Sequence, residues 1–250
     1  MPASRKTRAT TLAPRSWPSR PAFPTNTRTG AAMADTSAPK ISLCAKAGQV
    51  ARASCRLPHT PAAALAAILG APAIDLFAEW RKAQIERTWE LNRRGEFEPF
   101  DRVTASALQK VAPRLEAATR ARLCEAWLTV PAYADAEAAL RSLGQERCAV
   151  LSNGTEAMIR SALSAARLPI ATVLSVDRVR VYKPDPRVCA LLDALAPKER
   201  TLFVSSNGWD AEGCKRDGRT VAFIDRGGAG PALPPDLRVA SLSELASRAQ

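Results

Sequence analysis

Histidine is nearly missing from this chain: His59 is the only one in 250 residues, and none of the six cysteines sits in a C-x-x-C pair. Structural zinc needs four thiolate or imidazole ligands at short spacings, so zinc-finger ligation has no ligand set here. Cys44, Cys55, Cys124, Cys148, Cys189 and Cys214 are expected as reduced thiols of a cytoplasmic protein. Long apolar runs are also missing. The best of them, "AAALAAILGAPA" at 62–73, is broken by Gly70 and Pro72 and falls short of the roughly 20 residues that cross a bilayer, so no membrane is expected as a partner. Residues 1–32 hold no acid and no apolar h-region, which excludes a secretory signal. An organelle-targeting peptide would look similar, but the plainer expectation is an extension ahead of a start at Met33, or a disordered tail.

What is present begins with charge. The formal net charge of +12 invites a nucleic-acid reading, but residues 1–74 hold ten Lys or Arg against the single acid Asp35, a surplus of nine that leaves three for the other 176 residues. The basic character therefore belongs to the N-terminal third, and no basic stripe with interleaved aromatics follows it. Nucleic acid is not expected as a partner. With 46% hydrophobic residues the chain has enough apolar material for one sizeable core, or a core with a smaller domain.

Pattern becomes legible from residue 74. "IDLFAEWRKAQIERTWELNRR" puts Phe77, Trp80, Ile85 and Trp89 on one stripe of a long amphipathic helix, with Gly95 as its stop. Asp101 is expected to cap a helix running to about Val111, with further helices over 115–128 and 133–143. At Cys148 the period changes. Short apolar runs ("CAVLS", "ATVLSV", "TLFVSS", "TVAFID") alternate with helical stretches, and the last helix carries a capping box, Ser241 with Glu244. Such alternation predicts an α/β half with a parallel sheet covered on both faces. The expected organisation is a basic segment at 1–60, disordered or aberrant, a helical region at 61–145 and an α/β core at 146–250. In parallel sheets the polar turns at the carboxyl ends of strands face a shared crevice. Ser152-Asn153-Gly154, Lys183-Pro184-Asp185 and the turn from Ser205 to Asp210 are expected to converge there on one pocket.

These stretches, "LSNGT" at 151–155, "SVDRVRVYKPDPRV" at 175–188 and "FVSSNGWDAEG" at 203–213, together with "WRKAQIERTW" at 80–89, resemble the haloacid dehalogenase (HAD) superfamily and within it the type II (S)-2-haloacid dehalogenases. The resemblance covers roughly residues 74–245. It implies a HAD-like Rossmannoid parallel sheet with an inserted helical cap, and a cofactor-free hydrolase acting on carbon–halide bonds. In that chemistry an aspartate displaces halide from a small 2-haloacid, and the resulting ester is hydrolysed to a 2-hydroxy acid. Carried over by position, Ser152 and Asn153 would hold the substrate carboxylate. Arg81 and Asn153 would cradle the halide, with Phe100 and Trp209 as the apolar wall. Lys183 would balance the carboxylates, and Asp210 with Lys183 would position water while Ser205 and Asn207 fix the carboxylates by hydrogen bonds. Taken alone, these residues have plainer readings: a helix-capping turn, a solvated loop lysine, an exposed helix arginine and ordinary core. Phosphatases of the superfamily keep a carboxylate pair for magnesium where this chain has Ser205, Ser206 and Asn207 with the lone acid Asp210, so no metal is expected.

Two departures stand out. The family's D-x-Y-G-T motif, which carries the nucleophile, has no counterpart: no acid lies between Asp35 and Asp75, and Asp35 lacks both the preceding apolar strand and the following glycine turn. The stretch "ISLCAKAGQVA" is also too interrupted to be expected as the central strand. Cys189 stands where the family has a tyrosine. A shifted reading frame over about 41–60 and a degenerate, binding-only relative both explain this, and either way the chain is expected to be inactive or severely crippled. A magnesium phosphatase and a non-enzymatic remnant are the alternatives. The oligomeric state stays open, with a homodimer the candidate assembly.

Overall fold

A computed structural model of the chain describes residues 40–43, 66–68, 73–227 and 230–249, all within one unit, Ser37–Gln250. The expectations for residues 1–32 and for Cys44, Cys55 and His59 lie outside the described residues. The sheet has six strands, all parallel, in the order β3-β2-β1-β4-β5-β6. They are β1 Lys40–Leu43, β2 Cys148–Ser152, β3 Thr172–Ser175, β4 Thr201–Ser205, β5 Thr220–Ile224 and β6 Leu237–Val239. This overturns the expectation that the central strand is lost. Lys40–Leu43 pairs with β2 on one side and β4 on the other, Leu43 lying in register with both Val150 and Val204. A central strand needs partners for its backbone groups on both sides, and two flanking parallel strands supply them even to a four-residue segment.

The strand order reverses beside β1, running outward to β2 and β3 on one side and to β4, β5 and β6 on the other, which makes the carboxyl edge there a topological switch point, the usual crevice of doubly wound sheets. Strands β2 to β5 are largely buried, and alternate residues serve different layers. Leu151, Leu174, Phe203, Val221 and Phe223 join one apolar cluster, while Val150, Val173, Val204 and Ala222 join the other.

Between β1 and β2 the chain inserts helices. α1 Ala73–Arg94 ends at Gly95, whose φ of +68° suits a residue without a Cβ. α2 Phe100–Val111 starts one residue ahead of the expected cap: Pro99 is the N-cap and Asp101 lies in the first turn. No side chain caps the turn; Arg102 N and Val103 N donate instead to Pro99 O, at 3.0 and 3.1 Å. α3 Ala117–Glu125 continues as a 3-10 turn, Ala126–Leu128. Trp80, Val103, Leu108, Leu123 and Trp127 knit these helices to the first sheet cluster. The expected stripe of α1 needs one correction. Trp89 is 44% exposed, and the buried face runs instead through Trp80, Gln84, Thr88 and Leu91, at the i, i+4, i+8, i+11 spacing of one helix face.

α4 Ala136–Leu143, grouped by sequence with the helical block, packs on the sheet: Ala139, Leu140 and Leu143 cluster with Cys148, Val150, Leu245 and Ala246. α5 Glu156–Ala165 is capped by Thr155, whose hydroxyl accepts from Met158 N at 3.2 Å. α6 Pro186–Cys189 is capped by Asp185 and gives way to a 3-10 turn, α7 is Gly208–Arg216, and α8 Leu242–Arg248 carries the expected cap, Glu244 N donating to Ser241 Oγ at 3.0 Å. The reduced-thiol expectation is corrected for one pair: Cys189 and Cys214 form a disulfide with Cα atoms 5.8 Å apart, joining α6 to α7. Motif spacing sees only neighbours in sequence, and these cysteines are 25 residues apart. Cys124 and Cys148 are free, and burial pushes the Cys148 thiol up to about 11. No helix among the described residues is long and apolar enough to cross a membrane.

Candidate active site

At the carboxyl edge of β2, Ser152 turns the chain by accepting from Gly154 N at 3.1 Å, which leaves Asn153 facing the next loop. Its Oδ1 accepts from Lys183 N at 3.1 Å. The Lys183 side chain then runs inward, donating to Leu151 O at 3.2 Å and meeting Asp210 Oδ2 at 3.3 Å. Both partners of this ion pair are buried, 1% and 0% exposed at their side chains. Asn207 Nδ2 donates to the same Asp210 oxygen at 3.1 Å, and Ser205 Oγ accepts from Asn207 N at 3.0 Å, shaping the turn into α7. The three turns are therefore laced together: Asn153 to Lys183, Lys183 to Asp210, Asp210 to Asn207. Desolvating two charges costs several kcal/mol for each ion unless geometry and added hydrogen bonds offset it, which the Asn207 amide and the Leu151 carbonyl help to do here.

Above this floor lies a pocket with about 330 Å³ of atom-free space, part of it open to solvent. Arg81, Phe100, Ser152, Asn153 and Trp209 line it, all given a role from sequence, with Gly154 of the expected Ser152-Asn153-Gly154 turn and with Ile85 and Thr88, which were given no role in the pocket. Ile85 and Thr88 follow Arg81 at i+4 and i+7, a helical-face signal that was legible in principle. Lys183, Ser205, Asn207 and Asp210 are not in the lining. They form the buried layer beneath it.

Arg81 is held from two sides. Its guanidinium lies 5.2 Å from the centroid of the Trp127 ring, and one Nη donates to Gln84 Oε1 at 3.0 Å. Burial pulls its pKa down from the ordinary value to about 10, with the negative charge of Asp210 opposing the shift. Trp209 meets Trp89 of α1 edge to face, ring centroids 6.4 Å apart, so the partly exposed tryptophan of the helical insertion props the pocket wall.

Magnesium would need several oxygen ligands in near-octahedral array. At this strand end Asp210 is committed to Lys183 and Asn207, and among the described residues no group of three or more His, Cys, Asp or Glu is placed to hold a metal. These residues do not fit a magnesium ion.

A Rossmann-order sheet with a helical insertion over its carboxyl edge, and an arginine-lined pocket between the two, defines a capped α/β hydrolase scaffold. The haloacid dehalogenase-like hydrolase family model matches residues 42–218, and the chain belongs to that family. It is 36% identical over 164 residues, 62% of this chain and 71% of the relative, to the (S)-2-haloacid dehalogenase of Pseudomonas sp. strain YL. It is 34% identical to the (S)-2-haloacid dehalogenase 4A of Burkholderia cepacia over 71% of this chain and 82% of that one. The solved L-2-haloacid dehalogenase of Xanthobacter autotrophicus superposes with a TM-score of 0.72 at 26% identity, over 84% of this chain and 97% of that one.

Proposed function

We propose that the pocket binds small 2-haloalkanoic acids and the corresponding 2-hydroxy acids, and that the chain retains this binding without the aspartyl-ester chemistry. One observation carries the reading: Arg81 and Asn153 share a pocket with the apolar walls Phe100 and Trp209. A guanidinium supplies several donors to a bound anion and keeps its charge at neutral pH, and apolar walls remove the water that would compete for that anion. Ser152 and Asn153 receive the substrate carboxylate, and the Lys183–Asp210 layer orients water beneath it, with Ser205 and Asn207 fixing Asp210. Relatives named as (S)-2-haloacid dehalogenases support the substrate class. The lack of any Asp or Glu between Asp35 and Asp75 supports the loss of turnover.

Calorimetry with (S)-2-hydroxypropionate and bromide, alongside halide-release assays on (S)-2-chloropropionate, tests both halves. The expected result is binding that Arg81→Ala abolishes, with no halide released at high protein concentration. Halide release would overturn the inactive half. Magnesium-dependent hydrolysis of p-nitrophenyl phosphate would replace the reading with a phosphatase.

A further inference from the structure

Two polar side chains are fully buried in the seam between α1 and α2, away from the pocket: Gln84, 0% exposed, and Thr104, 1% exposed. Their surroundings are apolar, with Trp80, Val103, Leu108 and Trp127 in the same cluster. An apolar pair of similar volume would fill such a seam without the desolvation cost of an amide and a hydroxyl. What the polar pair adds is direction.

Arg81 donates to Gln84 Oε1 at 3.0 Å, Gln84 Nε2 donates to Thr104 Oγ1 at 2.9 Å, and Thr104 Oγ1 donates to Phe100 O at 2.7 Å. The polarity of this chain is dictated from one end. A guanidinium only donates, so the amide oxygen of Gln84 has to face it, and the amide nitrogen is left to face Thr104. The hydroxyl must then accept that bond and send its own proton to the Phe100 carbonyl. Thr104 O also accepts from Trp80 Nε1 at 2.8 Å, pinning the residue beside Arg81 to the same point. The two ends of the relay lie in Arg81 and Phe100, residues that both line the pocket, whereas Gln84 and Thr104 are not among its lining residues.

We infer that Gln84 and Thr104 are positioning residues, holding the guanidinium of Arg81 on α1 against the Phe100 turn of α2 in one rigid frame for the bound anion. As an account of anion binding this rests on the pocket reading above, but the immobilisation of Arg81 is measurable without any ligand. In ¹⁵N spectra of arginine side chains, with Arg81→Ala identifying the resonance, a clamped guanidinium shows separate, slowly exchanging Nη signals. These are expected in the parent chain and in Thr104→Ser, which keeps the hydroxyl, and are expected to average in Thr104→Val and Gln84→Leu. The bromide dissociation constant should rise about tenfold in the latter two and stay near the parent value in Thr104→Ser, the size expected from losing one well-made hydrogen bond. Gln84→Leu carries the test should Thr104→Val fail to fold. Unchanged Arg81 signals in both apolar variants overturn the inference. Averaging of those signals in a chain that binds no bromide or 2-hydroxy acid supports the positioning and sinks the pocket reading alone.

Discussion

Asn92 and Tyr182, 90 residues apart, exchange two hydrogen bonds: Asn92 Nδ2 donates to Tyr182 O at 2.7 Å and Tyr182 N donates to Asn92 Oδ1 at 2.9 Å. One side chain of the helical insertion thus satisfies both backbone groups of the residue preceding Lys183, while Phe97 stacks on the Tyr182 ring with centroids 5.3 Å apart. Asn92→Ala strips both bonds and is expected to cost about 1–3 kcal/mol in urea unfolding, because the part-buried Tyr182 N–H loses its partner while Tyr182 O keeps only Asp185 N, at 3.1 Å. A change below about 0.5 kcal/mol would mean that water replaces the amide freely.

The Lys183–Asp210 pair has no solvent to fall back on. Lys183→Met leaves a buried carboxylate facing an apolar chain and is expected to cost about 3–5 kcal/mol. Lys183→Met with Asp210→Asn should recover part of that loss, since the second change removes the stranded charge. A double-mutant cycle by chemical denaturation measures the coupling, and additivity of the two single changes would contradict it.

Gly213 sits in α7 against the Lys183–Pro184 loop. A Cβ there would meet Pro184 Cβ at 2.9 Å and Pro184 O at 3.3 Å. Helix propensity favours Gly→Ala by roughly 1 kcal/mol, whereas overpacking against a ring and a backbone oxygen costs about 1–3 kcal/mol. Gly213→Ala is therefore expected to destabilise, and a rise in melting temperature would show that the loop yields.

Peptide mapping without reduction should yield a Cys189–Cys214 cross-linked pair, with Cys124 and Cys148 alkylated only after unfolding or slowly. Replacing both bridged cysteines by alanine is expected to lose about 3.5 kcal/mol, the chain-entropy value for a loop of this size. Free thiols at both positions in protein purified without reductant would refute the bridge.

Arg81 gives the pH dependence its sign. Burial sets its folded pKa near 10, below the unfolded value, so above about pH 10 the unfolded chain holds more protons. The burial penalty that Arg81 imposes at neutral pH is then relieved, and its contribution to stability improves as pH rises. Bromide affinity moves the opposite way: it should be flat from about pH 6 to about pH 9 and fall above about pH 10 as the guanidinium loses its charge. A midpoint near neutrality would assign the binding charge to another group.

The parallel sheet, the alternating helices and the three polar turns were legible because burial on both faces and strand-end turn chemistry leave local marks in sequence. The central strand was not. Lys40–Leu43 is short and weakly apolar, and its place comes from two neighbours more than 100 residues downstream, β2 and β4. The disulfide escaped for the same reason: its cysteines meet because α6 packs on α7. α4 looks like its helical neighbours in sequence, and only its contacts with the sheet residues set it apart.

By itself the sequence determined the elements, the order of the motifs and the list of groups available at the strand ends, since each depends on neighbours within a few residues. Tertiary structure alone decided that Arg81 and Phe100 face Asn153 across a pocket, that Lys183 and Asp210 lie beneath it rather than in it, and that Gln84 and Thr104 connect the two walls. Those relations span tens of residues or more, and they are set by burial and hydrogen-bond satisfaction between packed elements, which no local pattern encodes.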